Sequence, residues 1–344
     1  TIKGNIYADD SWYDDVRYSQ DIPWLDEQEY YGAQISPLTL SPDEDYDAGT
    51  IIVQVKPNKN PGEKGIVSIY PNTDYVKVIN STLTGTKEEK KELHFEREHG
   101  TNKIKVEGVI PQGSSEKEWM YVWDQSLYMI TVLEEQLKHN GISVTGSLER
   151  KKVPSDAKLL HKRSSEPLSK LLIPFLKLSN NTHGEILVKE IGKQVKGNGS
   201  WDTGLYIMME ELAKLGIHNE SVLFRDGSGI SHVNLVTANE LTNVLYIAQQ
   251  QEWFSAFRQS LPVAGMEERM IGGSLRYRMN VPPLKGNVVA KTGTISTVST
   301  LSGYIETVHG KNYIFSILLN NLLDEDVGKH IEDQIGRASC RERV

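Results

Sequence analysis

Asn287–Ile305, NVVAKTGTISTVSTLSGYI, is the stretch on which the reading of this chain turns. Val288, Val289 and Ala290 lead into a strand, and the polar tripeptide Lys291-Thr292-Gly293 interrupts it. Thr294, Ile295 and a Ser/Thr-rich run follow, and a second β-rich segment returns over Leu301–Thr307. Tyr313–Leu319 makes a third after the turn at His309-Gly310, so the pattern predicts an antiparallel meander. A Lys, a Thr and a Gly on a strand otherwise suited to burial conflict with their surroundings, and such conflicts gather at functional sites. Lys offers a fixed cation for a carboxylate and Thr a hydroxyl donor. Gly lets a substrate backbone lie against the strand without a Cβ in the way. The backbone N–H of Thr294 is expected to face a developing oxyanion. Taken alone, the tripeptide also fits a surface hairpin turn.

Upstream, Pro167 opens a predicted helix that runs to Leu178, with Pro174 as a candidate kink. Further helices are expected from about His183 to Val195 and over Trp201–Leu215, the latter closed by Gly216. Thr237-Ala238-Asn239-Glu240 is a capping box for another, Leu241–Gln250. Between the first two helices stands Leu178-Ser179-Asn180-Asn181. A Ser and an Asn two apart on a tight turn can reach one pocket: the hydroxyl relays a proton and the amide holds a carbonyl or a partner Lys. The same residues suit a plain helix–helix turn.

Gly49–Gly108 reads as a β region, with alternating runs at Thr50–Lys56, Gly65–Tyr70, Tyr75–Asn80, Leu93–Arg97 and Asn102–Glu107. Lys87–Glu92 is a charged hairpin or loop. Trp119–Trp123 is a further strand. Asp124 caps a helix reaching Asn140, with Leu127, Ile130, Leu133 and Leu137 on one face. Short strands are expected at Ile142–Ser147 and Leu159–Ser164. The predicted class is α+β: a β-rich domain over residues 1–150, then an antiparallel sheet with packed helices over 151–335. A chain of 344 residues suits two domains, and a net charge of -8 argues against a nucleic-acid partner. No apolar run is long enough for a transmembrane segment, and one Cys, Cys340, leaves no disulfide framework or Cys-based metal site. Ile335–Val344, IGRASCRERV, breaks with the text before it and resembles a translated sequencing adapter, so residues 336–344 are expected to be a non-native tail.

The succession of Ser179-x-Asn181 and Lys291-Thr292-Gly293 is similar to the second and third motifs of active-serine penicillin-recognising enzymes, S-x-x-K, S-x-N and K-T-G. DDSWYDDVR, YYGAQISPLTLSP, EREHGTN, PLSKLLIPFLKLSNN, FRDGSGISH, SLPVAG, GGSLRYRM and AKTGTISTVSTLSGY resemble the exported D-alanyl-D-alanine carboxypeptidases of penicillin-binding class C. The likeness covers Thr1 to Gln334. It implies a transpeptidase-like domain with a β-rich insertion, acting on peptidoglycan stem peptides as a serine-type carboxypeptidase or endopeptidase. It implies an acyl-enzyme, β-lactams as inhibitors, no metal or organic cofactor, and an extracytoplasmic place in the cell envelope. By the same resemblance Ser179 passes a proton to the leaving amine, Asn181 orients the substrate amide, and Lys291 with Thr292 holds the terminal carboxylate. Asp15, with Trp12 beside it, is placed against a free amine of the peptide, and His232 stands where relatives often carry Arg.

Two S-x-x-K strings occur, Ser114–Lys117 and Ser155–Lys158, and neither opens an apolar helix that would hold Ser and Lys one turn apart. The nucleophile is therefore expected upstream of Thr1, and the chain as given is expected to be inactive. Two rival readings stand beside this one. Ser228 with Asp324 or Asp326 and His330 has the chain order of an α/β-hydrolase, but Arg225 or Asp226 stands where the nucleophile elbow needs Gly. Alternatively, the chain binds cell-wall peptide without catalysis.

Overall fold

The computed structural model describes residues 1–217 and 220–340. The chain divides into two units, Thr1–Leu160 with Gly197–Ser200, and His161–Lys196 with Trp201–Val344. Residues 341–344 of the expected non-native tail, and the side chain of Cys340 before them, lie outside the described residues.

The first unit contains β1 (Ile6–Ala8), β2 (Thr50–Lys56), β3 (Ile66–Tyr70), β4 (Lys77–Gly85), β5 (Glu92–Arg97), β6 (Lys103–Pro111), β7 (Glu116–Tyr121), α1 (Gln125–His139) and β8 (Leu148–Arg150). β2 is the centre of an antiparallel sheet of order β3-β2-β7, with Val53 opposite Ile69 on one side and Glu118 on the other. Ile51, Ile52, Val53 and Val55 are all buried, so β2 is covered on both faces and reads as a continuous apolar run. A second sheet has the order β4-β6-β5. Of the two readings of Lys87–Glu92, hairpin or loop, the loop holds: β5 pairs with β6, and β4 lies parallel to β6 on its other side. Ile104, Val106 and Ile110 of β6 enter the main core beside Ile51, Val53 and Val55, which gives β6 the central place.

Asp124 caps α1 as expected, accepting from Leu127 N at 3.1 Å. The buried side is set differently in part: Ile130 is buried as expected and Tyr128 and Val132, one turn apart, join the core, while Leu133 is exposed. The strand expected at Ile142–Ser147 is displaced; β8 forms at Leu148–Arg150, parallel to β1. The EREHGTN segment has a structural task. Arg97 is buried and ion-paired with Glu27 at 3.2 Å, and Tyr121 donates to the same carboxylate at 3.0 Å.

The second unit contains α2 (Leu168–Leu178), α3 (Asn181–Lys196), α4 (Trp201–Lys214), β9 (Val222–Leu223), β10 (Leu235–Val236), α5 (Ala238–Ala248), α6 (Phe254–Ser260), α7 (Arg269–Gly272), β11 (Val288–Ile295), β12 (Val298–Glu306), β13 (Asn312–Leu319) and α8 (Glu325–Cys340). β11, β12 and β13 form the predicted antiparallel meander, with Lys291 opposite Ser302 and Leu301 opposite Ile317. Successive side chains of β11 enter different clusters. Val288 and Ala290 join Leu301 and Ile305 against Ala264, Leu275, Met279 and Leu284. Val289 joins Tyr304, Leu245 and Leu261, with half-buried Leu176 of α2 packed against them. Both faces are thus covered up to Ala290. The strand expected at Leu159–Ser164 does not form; Leu159 and Leu160 are exposed, with no neighbouring strand to take them. α8 is attached to the sheet by Glu332, which is fully buried and accepts from Ser299 Oγ at 2.7 Å and Arg278 Nη2 at 2.8 Å.

Candidate active site

The period of two in β11 distributes its polar residues. Lys291 follows Val289 on the face that packs toward α2, and Thr292 follows Ala290 on the face of Leu275. β11 is also an edge strand. Its first half is covered by the SLPVAG segment: Ala290 N donates to Pro262 O at 3.0 Å, and Ala264 N donates to Val288 O at 2.9 Å. Past Ala290, no strand among the described residues pairs with this outer edge. Since Val288 O and Ala290 N point outward, the backbone groups of Thr292 and Thr294 do so too. A cation, a hydroxyl and an open strand edge thus lie within four residues.

Ser179 reaches this edge because of how α2 ends. It is the C-cap, left-handed at φ 59° and ψ 48°, a conformation that usually falls to Gly. Asn180 turns inward, is buried, and caps α3 by accepting from His183 N at 3.2 Å. Asn181 opens α3. The three polar residues between the helices therefore divide the work: an exposed hydroxyl at a strained turn, a buried cap, and an amide on the first turn of α3.

Lys291 Nζ donates to Ser179 Oγ at 2.7 Å, joining residues 112 apart in the chain, and to the Thr292 carbonyl at 2.5 Å. Burial pushes the Lys291 ammonium down to about 8. Thr292 Oγ1 lies 2.7 Å from Ser274 Oγ. A Cβ at Gly293 would lie 2.5 Å from Thr300 Oγ1, so the Thr300 side chain would have to rotate to admit one. A second lysine, Lys177, was not singled out from the sequence. It is buried two residues before Ser179 and donates to the carbonyls of Leu261 and Ile271, the latter at 2.8 Å. Burial pushes it down to about 8 as well, with Glu268 pulling the other way. The only sequence signal for this staple is a lone charge inside the apolar run LIPFLKL.

The remaining candidates are placed as follows. His232 is exposed on the loop after Ser231, and no hydrogen bond among the described residues joins it to the Ser179–Lys291 pair. Trp12 and Asp15 belong to the first unit. Asp15 lines a cavity of about 240 Å³ with Asp10, Tyr13, Arg17, Ser126 and Arg150. Arg150 donates to Asp15 Oδ1 and to Asp10 Oδ2, each at 2.6 Å. Asp43, Asp45 and Asp47 are the acidic trio among the described residues whose oxygens lie within 4.8 Å of one another. Asp43 is already used in the fold, accepting from Asp45 N at 3.1 Å and Trp119 Nε1 at 2.9 Å.

The hydrolase reading loses its nucleophile. Ser228 Oγ donates to Glu185 at 2.5 Å, and Trp201 Nε1 and Gly227 N donate to the same buried carboxylate at 2.7 and 2.9 Å. His330 and Asp326 are exposed on α8, where Asp326 pairs with Lys329 at 2.7 Å. Neither S-x-x-K string is helical. Ser114 sits in the turn before β7 and donates to Pro111 O at 2.7 Å, and Ser155 lies in an isolated turn.

The chain as a whole is similar to known proteins. The family model described as D-Ala-D-Ala carboxypeptidase 3 (S13) matches residues 1–341. A D-alanyl-D-alanine carboxypeptidase of Actinomadura sp. is 38% identical over 325 residues, 93% of this chain and 60% of the relative. D-alanyl-D-alanine carboxypeptidase DacB of Haemophilus influenzae is 28% identical over 290 residues, 82% of this chain and 58% of the relative. The chain thus spans about three-fifths of the length of these relatives. Crystallographic penicillin binding protein 4 (dacB) from H. influenzae shares the fold with a TM-score of 0.80 at 22% identity, covering 98% of this chain and 76% of that one.

Proposed function

We propose, because the chain belongs to the D-Ala-D-Ala carboxypeptidase 3 (S13) family, that the Ser179–Lys291 cluster is part of the active centre of a serine-type carboxypeptidase acting on peptidoglycan stem peptides. The observation that carries this is the 2.7 Å contact between Lys291 Nζ and Ser179 Oγ beside an open strand edge. An extended peptide lies along the outer edge of β11, and its terminal carboxylate meets Lys291 and the Thr292 hydroxyl. A serine hydroxyl attacks the carbonyl of the D-alanyl-D-alanine bond; a C–O bond forms as its proton passes to the neighbouring Lys of the Ser-x-x-Lys pair, which returns it through Ser179 to the leaving nitrogen, and the Thr294 N–H donates to the oxyanion. The C–N bond then breaks, with Ser179 delivering the proton to the leaving nitrogen and Asn181 orienting the substrate amide. Water hydrolyses the acyl-enzyme. A β-lactam follows the same first step and remains as the acyl group.

The attacking serine is assigned to residues outside this chain, because no described helix carries a Ser-x-x-K pair. Asp15 and Trp12 are assigned, within the first unit alone, to recognition of a peptide amine, which would compete with Arg150 for the Asp15 carboxylate. His232 is assigned to the substrate from its exposed loop. The proposed location is the cell envelope, outside the cytoplasm; no helix of the described residues is long and apolar enough to cross a membrane.

Fluorescent penicillin tests the reading. The full-length gene product is expected to be labelled covalently, and the 344-residue chain is expected to stay unlabelled. An unlabelled full-length protein overturns the function, while labelling of the shorter chain overturns the assignment of the nucleophile.

The depressed Lys291 ammonium adds a pH signature. Its value of about 8 lies below the ordinary lysine value of about 10.4. The charged form that holds a carboxylate is therefore nearly complete below about pH 7, half present near pH 8 and lost as the pH rises further. At pH 9 roughly nine-tenths of Lys291 is neutral, where an ordinary lysine would stay almost wholly charged. KM for a carboxylate-ended peptide is expected to climb between pH 8 and 9.5; a flat KM to pH 10 contradicts the assignment.

A further inference from the structure

Thr292 is asked to give its single hydroxyl proton to an anion, yet nothing in its own strand fixes where that proton points. Ser274 supplies what is missing. Its Oγ lies 2.7 Å from Thr292 Oγ1, and it comes from the GGSLRYRM segment rather than from β11. Both neighbours of Ser274 are held fast. Gly273 has φ 54°, and a Cβ there would lie 2.4 Å from the Lys177 carbonyl oxygen, so the loop backbone presses directly on the last turn of α2. Leu275 is fully buried in the cluster with Val288, Ala290 and Leu301. The buried Lys177 ammonium ties the same loop to α2 through the Leu261 and Ile271 carbonyls. A serine between two such anchors has a defined place, while its own side chain stays exposed.

A hydroxyl has one proton and two lone pairs. When Ser274 donates to Thr292 Oγ1, a lone pair of Thr292 is filled and its proton is left for an outside acceptor. The chain of two hydroxyls is also polarised toward that acceptor. We propose that Ser274 is a positioning residue for carboxylate recognition. It donates to Thr292 Oγ1 and so aims the Thr292 proton at the anionic group held by Lys291. This rests on the carboxypeptidase reading above and adds to it a residue outside the three motifs.

The test uses the full-length protein with two peptide substrates, an acyl-D-alanyl-D-alanine and its C-terminal carboxamide. Ser274→Ala is expected to raise KM for the carboxylate substrate about 5- to 10-fold, with kcat within twofold and the carboxamide unaffected. Ser274→Thr, which keeps the hydroxyl, is expected to restore KM. Equal losses on both substrates, or no loss on either, overturn the inference. Lys291→Ala serves as the reference. If it removes the preference for carboxylate while Ser274→Ala keeps it, the Ser274 role alone is wrong. If Lys291→Ala also leaves the preference intact, the parent reading fails, and the role of Ser274 falls with it.

Discussion

Lys291→Ala in the full-length protein is expected to lower the rate of penicillin acylation by about 10²- to 10³-fold, with the protein still folded. The substitution removes the ammonium that lies 2.7 Å from Ser179 Oγ and donates to the Thr292 carbonyl. Two things go together: the proposed electrostatic anchor for the substrate carboxylate, and the donor that fixes the Ser179 hydroxyl. Stability should change little or improve, because burial already disfavours the charged form of this lysine. The measurement is a second-order acylation rate alongside a thermal melt. A rate within threefold of the parent would remove Lys291 from the chemistry. A large fall in both rate and melting temperature would make it a structural residue instead.

Glu185→Ala is expected to cost about 2–4 kcal/mol of stability. The carboxylate is buried and accepts from Trp201 Nε1, Gly227 N, Ser228 N and Ser228 Oγ. Removing it strands the buried Trp201 Nε1–H, worth roughly 1–3 kcal/mol when left unpaired, while the half-buried Gly227 and Ser228 donors lose less because water can reach them. The loss reaches the active centre as well. Glu185 lies one turn along α3 from Asn181 and ties the Asp226–Ser231 loop to that helix. Chemical denaturation should show a lowered midpoint with an unchanged slope, and Glu185→Gln, which keeps one acceptor oxygen, should lose less. A Glu185→Ala protein as stable as the parent would mean that the loop finds other partners.

Much of the fold could be read locally. β2 was legible to the residue because a run of Ile and Val between turn signals has one good solution. The cap at Asp124, the box at Thr237 and the three strands of the meander are likewise matters of a few neighbouring residues. Pairing was less accessible: β4 and β5 look like a hairpin, yet β6 separates them, because burial of Ile104, Val106 and Ile110 decides the order of the sheet. α6, α7 and α8 escaped notice, the first two because they span only seven and four residues. α8 is long but mostly polar, and it is held by the buried Glu332 rather than by a broad apolar face.

The proposed active centre divides along the same line. That Ser179, Asn181, Lys291 and Thr292 belong together came from motif order, and the type of each side chain limits what it can donate or accept. That Lys291 meets Ser179, that Lys177 staples the loop beside them and that Ser274 reaches Thr292 came from tertiary packing alone. These contacts join residues far apart in the chain, and no local pattern of polarity encodes a distance across a fold. Periodicity and capping act within a turn or two of the backbone, whereas a hydrogen bond between a helix end and a strand edge exists only after two hydrophobic clusters have put both in place.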